Sequence, residues 1–140
     1  MEEKRIYLAG GMGNLSFEEQ NQWRETVVNY LETVECNYRV KCCNPVKYYN
    51  FLEKRYDTET EVKQFDLHKV RSSHLLIVNF NDPNSIGTAQ ELMLARTLNI
   101  PIIGLNEERK KLHPWLIDDC IKIFTDMRKM LDYTVEFYLT

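Results

Sequence analysis

The chain has 140 residues, 44% of them hydrophobic and 28% charged, the size and balance of one globular domain with room for a core. Net charge is -3, with Lys and Arg spread along the chain, which speaks against a surface that tracks nucleic-acid phosphates. No apolar run is long enough to cross a membrane and no secretory leader is evident, so a cytoplasmic protein with no membrane partner is expected.

Arg5-Ile6-Tyr7-Leu8-Ala9 reads as a first strand, broken by Gly10-Gly11-Met12-Gly13-Asn14. Ser16 and Glu19 have the spacing of a capping box, and the helix behind them places Trp23, Val27, Tyr30 and Leu31 on one face. Tyr38 to Cys43 predicts a second strand, closed by Asn44-Pro45. Cys36, Cys42, Cys43 and Cys120 match no zinc spacing, and Cys42 and Cys43 alternate faces of that strand, so all four read as reduced thiols. The polar stretch from Val46 to Ser72 predicts two helical pieces with a break near Asp57-Thr58. His74 to Phe80 is a third strand, Thr88 to Leu98 a helix and Pro101 to Leu105 a fourth strand. After a charged loop, Asn106 to Lys111, come a short helix at Trp115 to Asp119, a fifth strand at Ile121 to Phe124 and a last helix at Met127 to Tyr138.

Alternating strands and helices predict an α/β fold with helices on both faces of a parallel sheet. We expect one domain over residues 1–140, a flavodoxin-like or Rossmann-like three-layer sandwich with five parallel strands in the order 2-1-3-4-5. The switch point then lies between strands one and three, and ligands bind at such points. Both glycine-bearing turns, Gly10 to Gly13 and Ser85 to Gly87, open into that crevice.

Each residue there has a structural and a chemical reading. Glu91 falls in the expected first turn of its helix, where the macrodipole favours an acid, and it also faces the crevice. Ser85 is an N-cap or a ligand contact. Gly87 serves close helix–sheet packing or ligand approach. Gly10-Gly11-Met12-Gly13 lacks the spacing of a dinucleotide fingerprint but can cradle a phosphate or sugar with backbone amides. Asp66 is placed in the N-terminal half of the helix before strand three. His68, His74 and His113 read as structural. With no Ser-His-Asp order and no metal-ligand cluster, carboxylates, a tyrosine and backbone amides point to glycosidic chemistry.

Ile6-Tyr7-Leu8-Ala9-Gly10-Gly11, then Asp66-Leu67, then Gly87-Thr88-Ala89-Gln90-Glu91-Leu92 together resemble the nucleoside 2-deoxyribosyltransferase family, in order and spacing from Tyr7 to about Leu105. The resemblance implies cleavage of the N-glycosidic bond of a 2'-deoxynucleoside or its 5'-phosphate. It makes Glu91 the nucleophile at C1', Asp66 the group that binds and protonates the leaving base, and Tyr7 the partner that positions Glu91. Gly10, Gly11, Met12, Asn79, Asp82, Ser85 and Gly87 become the substrate-binding set. Transfer goes to a free nucleobase, or to water in a hydrolase. Partners are then a small nucleoside or nucleotide and a nucleobase, with a homo-oligomer (a dimer or dimer-based assembly) and no metal or organic cofactor.

The chain departs from the family's pattern at two places. Ser85 stands where transferases of the family usually carry a sugar-binding aspartate, as in the branch that hydrolyses nucleoside 5'-monophosphates. That branch has a first-loop arginine, which Met12-Gly13-Asn14 does not supply, and Asp82 is a substitute carboxylate if its loop folds back. After strand four, Leu112-His113-Pro114-Trp115 lacks the asparagine that reaches a neighbouring subunit's site. A non-catalytic nucleotide-binding module is the reading from a different class.

Overall fold

The computed structural model describes residues 1–48 and 55–140. Its strands are β1 (Glu3–Gly10), β2 (Arg39–Cys43), β3 (Leu75–Asn79), β4 (Ile102–Leu105) and β5 (Lys122–Phe124). They alternate with α1 (Phe17–Leu31), α2 (Glu59–Arg71), α3 (Ile86–Thr97), α4 (Pro114–Asp119) and α5 (Met127–Tyr138). All strand pairs are parallel, in the expected order β2-β1-β3-β4-β5.

The pleat divides β1 between two cores. Ile6 and Leu8 pack with Trp23, Val27 and Leu31 of α1 and Met130 and Leu131 of α5. Tyr7 and Ala9 face Val70 of α2 and Leu92 and Ala95 of α3. β3 is buried along its whole length, as a central strand covered on both faces must be. Cys42 and Cys43 take opposite faces, and all four cysteines are free thiols.

Capping chemistry sets the helix starts. Ser16 and Glu19 exchange the two bonds of a capping box at α1, and Thr58 and Glu61 do the same at α2, which is the expected break near Asp57-Thr58. Upstream, Pro45–Lys47 forms one 3-10 turn; the rest of the first expected helical piece falls partly on 49–54, outside the described residues. α3 begins at Ile86 rather than Thr88, because the Ser85 hydroxyl accepts from Thr88 N at 3.2 Å and carries the helix through Gly87. Glu91 therefore lies in the second turn, and the first turn holds no acid. The macrodipole reading of Glu91 is corrected accordingly. Asp66 is also displaced from its expected place, lying past the middle of α2.

Register decides where the sheet opens. β1 pairs with β2 from Glu3↔Arg39 to Tyr7↔Cys43, and with β3 from Ile6↔Leu75 to Gly10↔Asn79. Past Tyr7, β1 thus keeps a strand on one side only, and a crevice forms at the switch point. The loops around its other rim are joined at Asn81. Asn81 Oδ1 accepts from Gly11 N at 3.2 Å, its amide donates to Glu19 O at 3.3 Å, and its carbonyl accepts from Lys110 Nζ at 2.5 Å. Asn106 fixes Lys110 in turn, through Lys110 N and O at 3.1 and 2.9 Å.

This junction brings the backbone of Gly11 close to Asp82, and a Cβ on Gly11 would lie 2.5 Å from Asp82 Cβ. Gly11→Ala must displace one of the two loops and is expected to lower the unfolding free energy by roughly 1–3 kcal/mol. Urea denaturation reads the loss; an unchanged midpoint would contradict the close approach.

Candidate active site

Where the sheet opens, β1 presents Tyr7 and α3 presents Glu91. The Tyr7 hydroxyl donates a hydrogen bond to Glu91 Oε2, with the two residues 1% and 9% exposed. Local sequence forces this meeting. Tyr7 is an odd-numbered residue of β1, on the face covered by α2 and α3, and Glu91 precedes the buried Leu92 on the inner side of α3.

Burial dominates the electrostatics. Removal from water pushes the Glu91 carboxyl from its ordinary 4.5 up to about 8; the Tyr7 hydrogen bond opposes the rise, Asp66 adds to it by repulsion, and Arg24 opposes it by attraction. Tyr7 is raised well above 10, first by burial and then by the charges of Glu91 and Asp66. Arg24 is fully buried, and desolvation lowers its guanidinium to about 10 against the favourable charges of Tyr7, Glu91 and Asp66.

These groups border a cavity of about 570 Å³, large enough for a nucleoside-sized ligand. Of the residues expected from sequence, Tyr7, Gly10, Met12, Asp66, Ser85, Gly87 and Glu91 line it. Gly11, Asn79 and Asp82 do not appear in its wall. Gly11 and Asp82 back onto each other beneath the rim, and Asp82 Oδ1 accepts from Asn84 N at 3.2 Å, so its loop does not fold back into the cavity. Asn79 is a buried strand end opposite Gly10. Gly87 is no packing glycine, since a Cβ there would meet nothing within 4 Å; its bareness keeps the mouth of the cavity open beside the α3 N-terminus. Ser85 is both N-cap and cavity wall.

None of the three histidines lines the cavity. His74 Nδ1 accepts from Arg5 N at 2.9 Å, His113 Nδ1 caps α4 through Trp115 N at 3.1 Å, and His68 is exposed on α2. Among the described residues, no group of three His, Cys, Asp or Glu could hold a metal ion. Among the same residues, no helix is long and apolar enough to cross a membrane.

Sequence reasoning missed Arg24, Tyr56, Val62 and Lys63 in the cavity wall. Arg24 carried a signal: it stands one turn before Val28 and next to Trp23, on the side of α1 that packs inward.

Residues 6–137 match the family model described as nucleoside 2-deoxyribosyltransferase. The chain belongs to the nucleoside 2-deoxyribosyltransferase family. Membership makes it an enzyme of the N-glycosidic bond, a deoxyribosyltransferase or N-glycosidase acting on small nucleoside-type substrates. No curated protein matches it in sequence. Solved structures share its fold. One is a conserved protein from Enterococcus faecalis V583, with TM-score 0.76 and 15% identity over 92% of this chain and 95% of the other. Another is the 2-deoxyribosyltransferase of Bacillus psychrosaccharolyticus, with TM-score 0.72 and 20% identity over 92% and 91%. A third is the CMP N-glycosidase BcmB of Clostridium botulinum, with TM-score 0.61 and 19% identity over 97% and 100%.

In this family member the buried acid also governs stability. The folded state keeps the Glu91 proton up to about pH 8 while the unfolded chain releases it near 4.5, so stability falls as pH rises through that window. Glu91→Gln, neutral throughout, is expected to be more stable than the parent by a few kcal/mol at pH 8. The difference should be smallest below pH 4.5, where the parent's acid is protonated in both states. Urea denaturation of both proteins across that range checks the sign; parallel curves would contradict a buried, proton-retaining Glu91.

Proposed function

We propose that this enzyme cleaves the N-glycosidic bond of 2'-deoxynucleosides or their 5'-phosphates through a covalent deoxyribosyl–Glu91 intermediate, and passes the sugar to a second nucleobase. The observation that carries the reading is the Tyr7–Glu91 hydrogen bond at the floor of a cavity that Asp66 also lines.

A carboxylate oxygen of Glu91 bonds to C1' as the C1'–N bond breaks, and the bond's electron pair leaves with the base. Asp66 supplies the proton that neutralises the departing base, because a nucleobase anion is a poor leaving group. The acceptor base then attacks C1' through a ring nitrogen, Glu91 leaves as carboxylate, and Asp66 takes up the acceptor's proton. Water as acceptor gives the free sugar by the same route. Tyr7 fixes the carboxylate and shares its charge, as a donor aimed at the reacting oxygen pair.

A 5'-monophosphate N-glycosidase is the second reading, and Ser85 favours it. Its hydroxyl accepts from Thr88 N at 3.2 Å and from Thr88 Oγ1 at 3.0 Å, which leaves its own proton to donate to a ligand. The N-terminal amides of α3 beside bare Gly87 complete an anion-favouring mouth. A homo-oligomer, dimeric or dimer-based, is part of both readings, supported by Trp115 of α4 and Ile86 and Met93 of α3, which are 79%, 75% and 60% exposed.

Incubation with deoxynucleosides and with their 5'-monophosphates, with and without a second base, separates the readings. Exchange into the added base establishes transfer, and release that ignores it sinks transfer in favour of hydrolysis. Intact-mass analysis is expected to show a deoxyribosyl adduct that Glu91→Ala abolishes, and Tyr7→Phe is expected to slow base release on the order of 100-fold. No adduct and no release from any of these compounds would leave only a binding module.

A further inference from the structure

β2 stops short of the end of β1, and the reason is readable in the ladder. Arg39 N donates to Glu2 O at 2.9 Å, while His74 N donates to Arg5 O at 2.8 Å. Even-numbered carbonyls of β1 therefore face β2 and odd-numbered ones face β3, since successive residues of a strand point to opposite neighbours. After the pairs that end at Tyr7↔Cys43, the next even carbonyl, Leu8 O, would meet residue 45. That residue is Pro45, which has no N–H. Leu8 O and Gly10 O are left at the floor of the crevice with no strand to answer them.

Arg24 answers them from α1. Its Nε donates to Leu8 O at 3.2 Å, one terminal nitrogen donates to Gly10 O at 3.2 Å, and the other returns to Gln20 O at 2.5 Å. The fork needs room, and Gly10 supplies it: a Cβ there would lie 3.3 Å from the Arg24 guanidinium and 3.0 Å from the Trp23 ring. Among the described residues no carboxylate is bonded to this buried guanidinium, which has three backbone carbonyls instead, whereas a buried charge is normally paired with an opposite one.

Its charge is nevertheless answered across the cavity floor. Among the described residues, the groups that act on Glu91 are Tyr7 of β1, Asp66 of α2 and Arg24 of α1; Cys43 of β2 adjoins Tyr7, and Glu59 and Lys63 of α2 line the cavity wall. Of the three that act on Glu91 directly, Arg24 is the cation.

We propose that Arg24 is a positioning residue with two linked tasks: its fork answers the carbonyls that β2 leaves unpaired and fixes the β1 end carrying Tyr7, and its cation stands in the wall of the cavity it shares with Glu91, as a counter-charge to the attacking carboxylate. The inference rests on Glu91 being the nucleophile. A guanidinium suits both tasks, since its planar fork can span several acceptors while it stays charged. Lysine keeps the charge and loses the fork; glutamine loses the charge and keeps part of the hydrogen bonding.

The test uses Arg24→Lys and Arg24→Gln in the full chain, with a deoxynucleoside and its 5'-monophosphate as substrates. Both variants are expected to lose about 10-fold or more in kcat with little change in KM, as displaced Tyr7 and Glu91 require. In Arg24→Gln the acidic limb of kcat/KM is expected to move up by about one unit or more, and in Arg24→Lys to stay near the parent's. Equal losses in both variants with the acidic limb unmoved would reduce Arg24 to a structural tie and overturn the charge role.

A second readout needs no turnover. A carboxyl NMR titration of Glu91, assigned with Glu91→Gln, should show the same rise in Arg24→Gln. In the unsubstituted protein, the Arg24 guanidinium signals should shift with the Glu91 midpoint. Guanidinium signals indifferent to that midpoint overturn the proposal even if Arg24→Gln does not fold. If the titrations couple and no base is released, Arg24 acts on Glu91 as described and it is the glycosidic reading that fails.

Discussion

A phenol and a carboxyl meet out of water at the floor of the cavity. The bond from Tyr7 to Glu91 joins residues 84 positions apart, and it ties the first strand to the third helix at the one place where the sheet parts. Neither group is comfortable there. Burial keeps the proton on Glu91 up to about pH 8 even though the phenol and the nearby guanidinium oppose it. In the reaction proposed above, a carboxyl that titrates close to neutrality suits a group alternating between nucleophile and leaving group. The same burial makes it a liability to the fold once the pH exceeds the carboxyl's ordinary 4.5.

The crevice exists because β1 outruns β2. Parallel sheets bind ligands where neighbouring connections diverge, but divergence strands the carbonyls that a continued ladder would have used. The proline that ends β2 makes this unavoidable, and α1 supplies a side chain where a strand is missing. One helix thus packs the core with Trp23 and Val27 and closes the floor of the cavity with Arg24.

Much of this could be read from residues alone. The alternation of apolar runs with helices predicts the parallel sheet and its order, and the resemblance carried by Gly87 to Leu92 singles out Glu91. What escaped is what depends on side-chain direction. The helix expected from Thr88 starts at Ile86, because the Ser85 cap carries it through Gly87 and moves Glu91 into the second turn. Asp82 and Gly11 were placed near the ligand by position along the chain, whereas their side chains and backbone turn toward each other. Arg24 stands beside Trp23 on the inward side of α1, where a cation is not expected to be buried. Only the pairing of an even-numbered carbonyl with a residue that lacks an N–H makes its burial intelligible, and that needs strand register, not composition.

The junction at Asn81 bears on how a ligand would be received. Its amide and carbonyl hold the turn after β1, the start of α1 and the segment after β4 together before any substrate arrives. The conformational entropy of that rim is surrendered once, during folding, and is not charged again on each encounter. A guest entering from this side meets a rim already tied by hydrogen bonds, so less of the free energy of its contacts goes into ordering the protein.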